Sequence, residues 1–302
     1  MTPKISTVVS AYNEEEKIEE CLKSVENLAD EIIFVDNTSH DKTIEIAKRH
    51  KAKVFIRPND PVMLNKNKNY GFSKAAGDWI LSLDADERIT PVLAKEIKAA
   101  VKQKNIKGFE IPRKNIIFNK WIQHSIWWPD YNLRLFQKNS GRFPEKHVHE
   151  KIEVSGKVAK LENPMTHYNY QTISQFLRKL DTIYTESETE NFIKKGDQIH
   201  WYDAIRWPAS DFLKTFFLER GYKDGLHGLV LSLFQAFYSL VFFAKVWEKK
   251  EKFKDLTPDN FLREVSKEFA KVIKDSKYWF NTVMIDELPA KKLYYKIRRK
   301  IS

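Results

Sequence analysis

The sequence predicts an α/β protein built on a doubly wound, mostly parallel, Rossmann-like sheet. Three observations predict it. Apolar or β-branched runs recur at residues 5–10, 31–35, 53–56 and 79–83. Helical spacing fills the intervals between them, with short connections, which is the pattern of repeated βαβ units. Three of the runs end directly in polar clusters, Tyr12 to Glu14, Asp36 to Ser39 and Asp84 to Glu87. In such sheets the carboxyl ends of the strands face the ligand crevice.

Taken in order, residues 5–10 (Ile-Ser-Thr-Val-Val-Ser) suit a pleated, buried surface. Over residues 14–28, Ile18, Cys21, Leu22 and Val25 share one helical face, and Glu14, Glu15 and Glu16 occupy a first turn that favours acids. The second strand runs into Asp36-Asn37-Thr38-Ser39, where Ser39 or Asp41 can cap the helix carrying Ile44, Ile46 and Ala47. After the third strand, a helix over residues 65–76 stops at Gly77. The fourth strand ends in Asp84, Asp86 and Glu87. A buried sheet does not tolerate unpaired carboxylates, so these three lie beyond the strand. Two carboxylates one residue apart on a turn can offer hard oxygen ligands to a divalent cation that also holds phosphate. Neither Gly-x-Gly-x-x-Gly nor a P-loop occurs in the first half, so a nucleotide would be held some other way.

Residues 107–170 change character. Residues 108–111 and 132–136 read as strands, and Trp121, Trp127, Trp128 and Tyr131 cluster around Pro129. Trp127 and Trp128 are candidates for stacking on sugar faces. Residues 171–196 read as a charged helix with Phe176, Leu177, Leu180, Ile183 and Tyr184 inward. Residues 226–247 just reach the length of a membrane span. However, Gly228, Ser232, Gln235 and Ser239 form a weakly polar stripe, which suits a helix lying in the interface or packed on the protein. Lys223, Lys245, Lys249, Lys250, Lys252 and Lys254 flank it, and residues 291–300 are basic and amphipathic, so this end suits an anionic leaflet.

The 302 residues carry a net charge of +11, which calls for a polyanionic partner: nucleic acid, anionic lipid or a phosphorylated substrate. One cysteine, Cys21, excludes an internal disulfide framework and fits a reducing compartment. The N-terminus lacks signal-peptide architecture, so the expected location is cytoplasmic.

Four ordered blocks carry a family resemblance. They are Val8-Val9-Ser10-Ala11-Tyr12-Asn13-Glu14; Val35-Asp36-Asn37-Thr38-Ser39-His40-Asp41-Lys42-Thr43; Asn69-Tyr70-Gly71-Phe72 with Ala75-Ala76-Gly77-Asp78; and Leu83-Asp84-Ala85-Asp86-Glu87. Together they resemble the family-2 inverting glycosyltransferases of the GT-A fold. The resemblance implies a nucleotide-sugar donor, with UDP favoured, bound by residues 1–110. An acceptor half over residues 111–205 and a helical, basic and aromatic, membrane-associating region over 206–302 would follow. It implies that Tyr12, Glu14 and Asp36 bracket base and ribose, and that Asp84 lies near the ribose. Asp86, one step on past Ala85, would bind Mn²⁺ or Mg²⁺ on the diphosphate. Lys68 stands where many members carry Arg near the phosphates.

Inverting transfer needs a base for the acceptor hydroxyl. Glu150, in His147-Val148-His149-Glu150, is the best match, with Asp130 and Glu145 as possible substitutes. His167 matches the histidine that reaches the metal in many GT-A enzymes, and His149 competes for that role. Gly221-Tyr222-Lys223-Asp224-Gly225, with Ala236-Phe237-Tyr238 and Lys245-Val246-Trp247-Glu248, resembles the subgroup that extends lipopolysaccharide core oligosaccharides. That implies a lipid-linked saccharide acceptor at the cytoplasmic face of the membrane. Transfer to a polyprenyl phosphate is the alternative. A basic nucleic-acid-binding protein is a remote one, since no RNA or DNA module signature is present.

Overall fold

The computed structural model describes residues 2–60, 63–145 and 150–301. Strands β1 (Ile5–Ala11), β2 (Glu31–Asp36) and β3 (Lys53–Ile56) are each followed by a helix, α1 (Ile18–Val25), α2 (Thr43–Arg49) and α3 (Leu64–Lys74), and then comes β4 (Trp79–Leu83). These strands lie in the order β3-β2-β1-β4 and every pair is parallel. Next along the chain are β5 (Glu87–Arg88), α4 (Pro91–Ala100), β6 (Gly108–Ile117), β7 (Lys120–Trp121) and β8 (Asp130–Gln137). Four short strands complete the set: β9 (Gly141–Arg142), β10 (Glu153–Val154), β11 (Val158–Lys160) and β12 (Met165–Tyr168). The sheet continues β4-β8-β6-β12-β5, with β8 antiparallel to both of its neighbours. The expected α/β architecture is therefore present, parallel through β4 and mixed beyond it.

Residues on β1, β2 and β4 alternate between two cores, as a period of two requires. Val9, Phe34 and Leu81 pack with Cys21 and Leu22 of α1 and Leu93 and Ile97 of α4. Val8, Ile33 and Ile80 pack on the other side with Phe72 of α3 and Phe136. At Gly71 a Cβ would lie 2.5 Å from Val8 Cγ1 and 3.0 Å from Val35, so α3 presses directly on the sheet. That contact sets Asn65, Asn67, Lys68 and Asn69 of α3 beside the strand ends.

Helix α1 starts at Ile18, not at residue 14 as the spacing suggests. The preceding residues form a turn, with Ile18 N donating to Glu14 O (2.9 Å), that is bonded to the next loop. Glu14 N donates to Thr43 Oγ1 (2.8 Å), Glu15 N to Asp41 Oδ2 (3.1 Å), and Lys42 N to the Glu15 carboxylate (2.9 Å). Side chains of that loop thus satisfy N–H groups that would have no partner within a helix.

Residues Met1–Trp121 and Trp127–Gln171 form one compact unit, and Ile122–Ile126 with Thr172–Ser302 form a second. The second is helical: α5 (Ile173–Lys179), a π-helical turn (Leu180–Tyr184), α6 (Thr185–Lys195), α7 (Asp203–Leu213), α8 (Leu226–Lys249), α9 (Phe261–Glu287) and α10 (Lys292–Lys300). Phe176 and Leu180 are buried as expected, but Leu177 is 41% exposed, since it lies one step around the helix from that inward row.

Helix α8 is long and apolar enough to cross a membrane by length and composition. Its weakly polar stripe nevertheless faces protein. Gly228, Ser232 and Ser239 are buried, the Ser239 hydroxyl donates to Asp211 Oδ2 of α7, and Gln235 Nε2 donates to the same oxygen at 3.4 Å. A Cβ at Gly228 would overlap the Gly221 carbonyl, a backbone group that cannot rotate away. Gly228→Ala is expected to lose about 1–3 kcal/mol to overpacking. The helix-propensity gain of about 1 kcal/mol at most does not offset this, and urea denaturation of the variant measures the difference.

Candidate active site

β1 and β2 end together, Ala11 pairing with Asp36, and β4 ends two residues short of them, Leu83 pairing with Val9. The loops after β1 and β2 are laced together, with Asn13 N donating to Ser39 Oγ (2.9 Å) and His40 N to Asn13 Oδ1 (2.9 Å). Asn13 and Thr38 both take left-handed backbone angles, at φ 52° and 61°, which fold the loops inward. Tyr12 is 39% exposed, with its ring edge-on to His40 at 6.4 Å. Asp36 is fully buried; its Oδ2 accepts from Ser39 N (2.9 Å), and its Oδ1 has no hydrogen-bond partner. A buried acceptor in that state suits an N–H or O–H supplied by a ligand. The Glu14 carboxylate is paired with Lys17 at 3.0 Å.

The acidic turn after β4 is divided by its partners. Asp84 accepts from Lys68 Nζ (2.5 Å) and from Arg134 Nη2 (2.6 Å). The same Arg134 nitrogen donates to Glu87 Oε1 (2.6 Å), and Glu87 Oε2 accepts from Asp84 N (3.0 Å). Burial disfavours the Asp84 anion, but the Arg134 and Lys68 cations outweigh it and hold the carboxyl well below its ordinary value. Arg134 is likewise opposed by burial and held charged by Asp84 and Glu87. Asp84 is thus an anchor for the turn, with buried Ala85 between it and Asp86.

Arg134 escaped the sequence reading. The available signal was an arginine inside an apolar strand, because a buried charge requires a partner. Arg134→Leu leaves two carboxylates with one cation fewer and is expected to cost about 3–5 kcal/mol by denaturation at pH 7. Asp84 has a lowered folded pKa, so its pairing stabilises above the unfolded carboxylate value of about 4 and is lost as pH falls through the folded one. The gap between wild type and variant therefore narrows in acid.

Asp86 meets His167. Strand β12 pairs with β5, setting His167 opposite Glu87, and Tyr168 N donates to Asp86 O (2.9 Å). His167 Nε2 stands 3.6 Å from Asp86 Oδ2, and its Nδ1 lies 2.6 Å from Asn115 Oδ1. With ligand distances of about 2.0–2.2 Å, an oxygen and a nitrogen so separated can share one divalent ion. Among the described residues no group of three or more His, Cys, Asp and Glu could hold a metal ion. Asp86 and His167 alone supply two protein ligands, so an ion held here would take its remaining ligands from a substrate and water. His149 lies outside the described residues.

Glu150 Oε2 accepts from Glu145 N (2.7 Å) and from Asn65 Nδ2 (3.3 Å). Asn65 and Lys68 are three residues apart on α3 and share a face. One turn of α3 thus touches both Glu150 and, through Lys68, Asp84. Of the substitutes, Glu145 Oε1 accepts from Asn69 (2.6 Å). Asp130 is held by Arg113 at 2.8 and 2.6 Å and by Asn132 at 2.8 Å. Trp127 and Trp128 are half-buried, edge-on to Tyr170 (6.2 Å) and Trp121 (5.4 Å) respectively.

Residues 6–154 match the family described as Glycosyl transferase family 2. The uncharacterized glycosyltransferase RT0209 of Rickettsia typhi is 30% identical over 278 residues, covering 86% of this chain and 92% of that protein. The chain belongs to glycosyl transferase family 2. This glycosyltransferase is also 24% identical over 264 residues to the lipopolysaccharide core biosynthesis glycosyltransferase LpsC of Rhizobium meliloti, covering 82% of this chain and 94% of LpsC. The crystal structure of S. aureus TarS 1-349 is a looser likeness, at 16% identity and a TM-score of 0.43 over 98% of this chain and 88% of that one. In this family-2 glycosyltransferase Asp36 ends β2, and Asp84 and Asp86 follow β4, the two strands that flank β1. The Glu14 carboxylate is engaged by Lys17, and Lys68 by Asp84.

Proposed function

We propose that this glycosyltransferase is an inverting, metal-dependent enzyme. It moves a sugar from UDP to a hydroxyl of a lipid-linked saccharide of the lipopolysaccharide-core kind, at the cytoplasmic face of the membrane. The observation that carries the reading is the Asp86–His167 pair at 3.6 Å beside an Asp84 neutralised by Lys68 and Arg134. One carboxylate then fixes the turn while the other is presented to a cation.

In this reading residues 1–110 hold the donor. Asp36 Oδ1 accepts a hydrogen bond from the nucleotide, Tyr12 and Glu14 flank it, and Lys68 lies on the phosphate side. Asp86 and His167 would hold Mn²⁺ or Mg²⁺, which supplies Lewis-acid stabilisation of the departing diphosphate. Residues 111–205 receive the acceptor, with Trp127 and Trp128 against its sugar rings. Glu150 takes the proton from the acceptor hydroxyl as that oxygen bonds to the anomeric carbon, while the bond to the diphosphate breaks on the opposite side. Configuration therefore inverts.

Similarity to LpsC supports the acceptor class. Exposed Leu293 and Ile297 lie four residues apart on α10, with exposed Ile301 just past its end, among Lys292, Lys296, Arg298, Arg299 and Lys300, which supports peripheral attachment to an anionic leaflet. The test is thermal denaturation with a panel of nucleotide sugars and Mn²⁺. A UDP-sugar at a hundred times its Kd adds about 2.7 kcal/mol to stability, and a panel in which none raises Tm refutes the donor assignment.

A further inference from the structure

We propose that Asn115 is a positioning residue that holds the proton of His167 on Nδ1 and so aims the Nε2 lone pair at the cation shared with Asp86. The inference rests on the metal reading above.

Asn115 is fully buried in β6, and the two ends of its amide have different surroundings. Its Nδ2 lies 2.8 Å from the Trp127 carbonyl, 3.3 Å from Asp130 Oδ2 and 3.5 Å from the Arg113 carbonyl. Carbonyls accept hydrogen bonds and cannot donate, and the Asp130 carboxylate is pinned by Arg113. The NH₂ end must therefore face them, which decides the orientation of the amide. Oδ1 is left facing His167 Nδ1 at 2.6 Å. An amide oxygen only accepts, so Nδ1 carries a proton.

A neutral imidazole protonated on Nδ1 has its lone pair on Nε2, the atom 3.6 Å from Asp86 Oδ2. Two acceptors then face each other across a nearly buried gap, an arrangement that a cation between them relieves. The partner of the second ring nitrogen selects the ligating tautomer of a metal-bound histidine. Here the same amide also grips the carbonyl of Trp127, so the metal ligand and the tryptophan-bearing segment are held by one side chain.

The experiment measures Mn²⁺ affinity of the full chain in the presence of UDP, from the paramagnetic resonance signal of free Mn²⁺. Wild type, His167→Ala, Asn115→Leu and the double variant are compared. Asn115→Leu is expected to weaken Mn²⁺ binding about 10–100-fold, and to change it no further in the His167→Ala background, since both act through one ligand. If His167→Ala binds Mn²⁺ as tightly as wild type, the metal reading itself fails and the proposal with it. If His167→Ala is weakened but Asn115→Leu is not, or if the two losses add, the role of Asn115 alone is overturned. Should Asn115→Leu not fold, long-range ¹H–¹⁵N correlation spectra of wild type labelled on histidine decide. A proton on His167 Nδ1 alone supports the proposal; one on Nε2 overturns it.

Discussion

Asp86→Ala is expected to lower sugar transfer by about 10³-fold or more at saturating donor while leaving the protein folded. Lewis-acid stabilisation of a departing diphosphate is worth several kcal/mol, and each 1.36 kcal/mol is about tenfold in rate. The neighbouring acid gives the contrast. Asp84 is bound by Lys68 and Arg134, and its removal leaves a buried guanidinium with one carboxylate fewer. Asp84→Ala is therefore expected to lower Tm as well as activity, whereas Asp86→Ala lowers activity with Tm nearly unchanged. Steady-state rates over a Mn²⁺ titration, beside thermal denaturation of both variants, separate the two roles. Transfer by Asp86→Ala within tenfold of wild type removes Asp86 from the metal site.

Much of the fold of residues 1–110 was legible because its signals are local. β3 and β4 fall on the expected residues, since short apolar runs bounded by charges leave little freedom in strand length. Parallel connectivity puts successive strand ends on one edge, and so sets Asp36 and the Asp84–Asp86 turn on the same edge of the sheet. Strand direction was less legible. β8 runs antiparallel to β4, and a residue pattern carries no sign for strand direction. β5 is two residues long and β12 four, yet their pairing is what brings His167 to Asp86. The partners of the acidic turn were hidden for a different reason. Arg134 reaches Asp84 across 50 positions and Glu87 across 47, and Asn115 reaches His167 across 52. No spacing rule spans such separations; only burial, which forces a charge or amide to find a partner, points to them. In the helical unit the stripe from Gly228 to Ser239 was readable, because small and polar residues at helical spacing on an apolar helix mark the side that packs.

Glu150→Gln is expected to lower kcat by about 10²–10⁴-fold, the usual contribution of a positioned general base, with donor affinity unchanged. Gln keeps the volume and can still accept at Oε1 from Asn65 and the Glu145 amide, so the local hydrogen bonds survive the change. What is lost is the capacity to take a proton. Asp130→Asn is the matched control. The Asp130 carboxylate is occupied by Arg113, and its neutralisation strands that guanidinium, so stability falls more than kcat does. The chemistry of the acceptor decides between the two transferase readings. A saccharide hydroxyl must be deprotonated as it attacks, whereas a polyprenyl phosphate arrives already ionised and needs no strong base. Rates measured with both acceptor classes therefore diverge: loss of transfer to a lipid-linked saccharide identifies Glu150 as the base for a hydroxyl. Near-normal transfer to polyprenyl phosphate by Glu150→Gln would instead move the enzyme to that class and leave Glu150 as a structural clasp between α3 and the segment after β9.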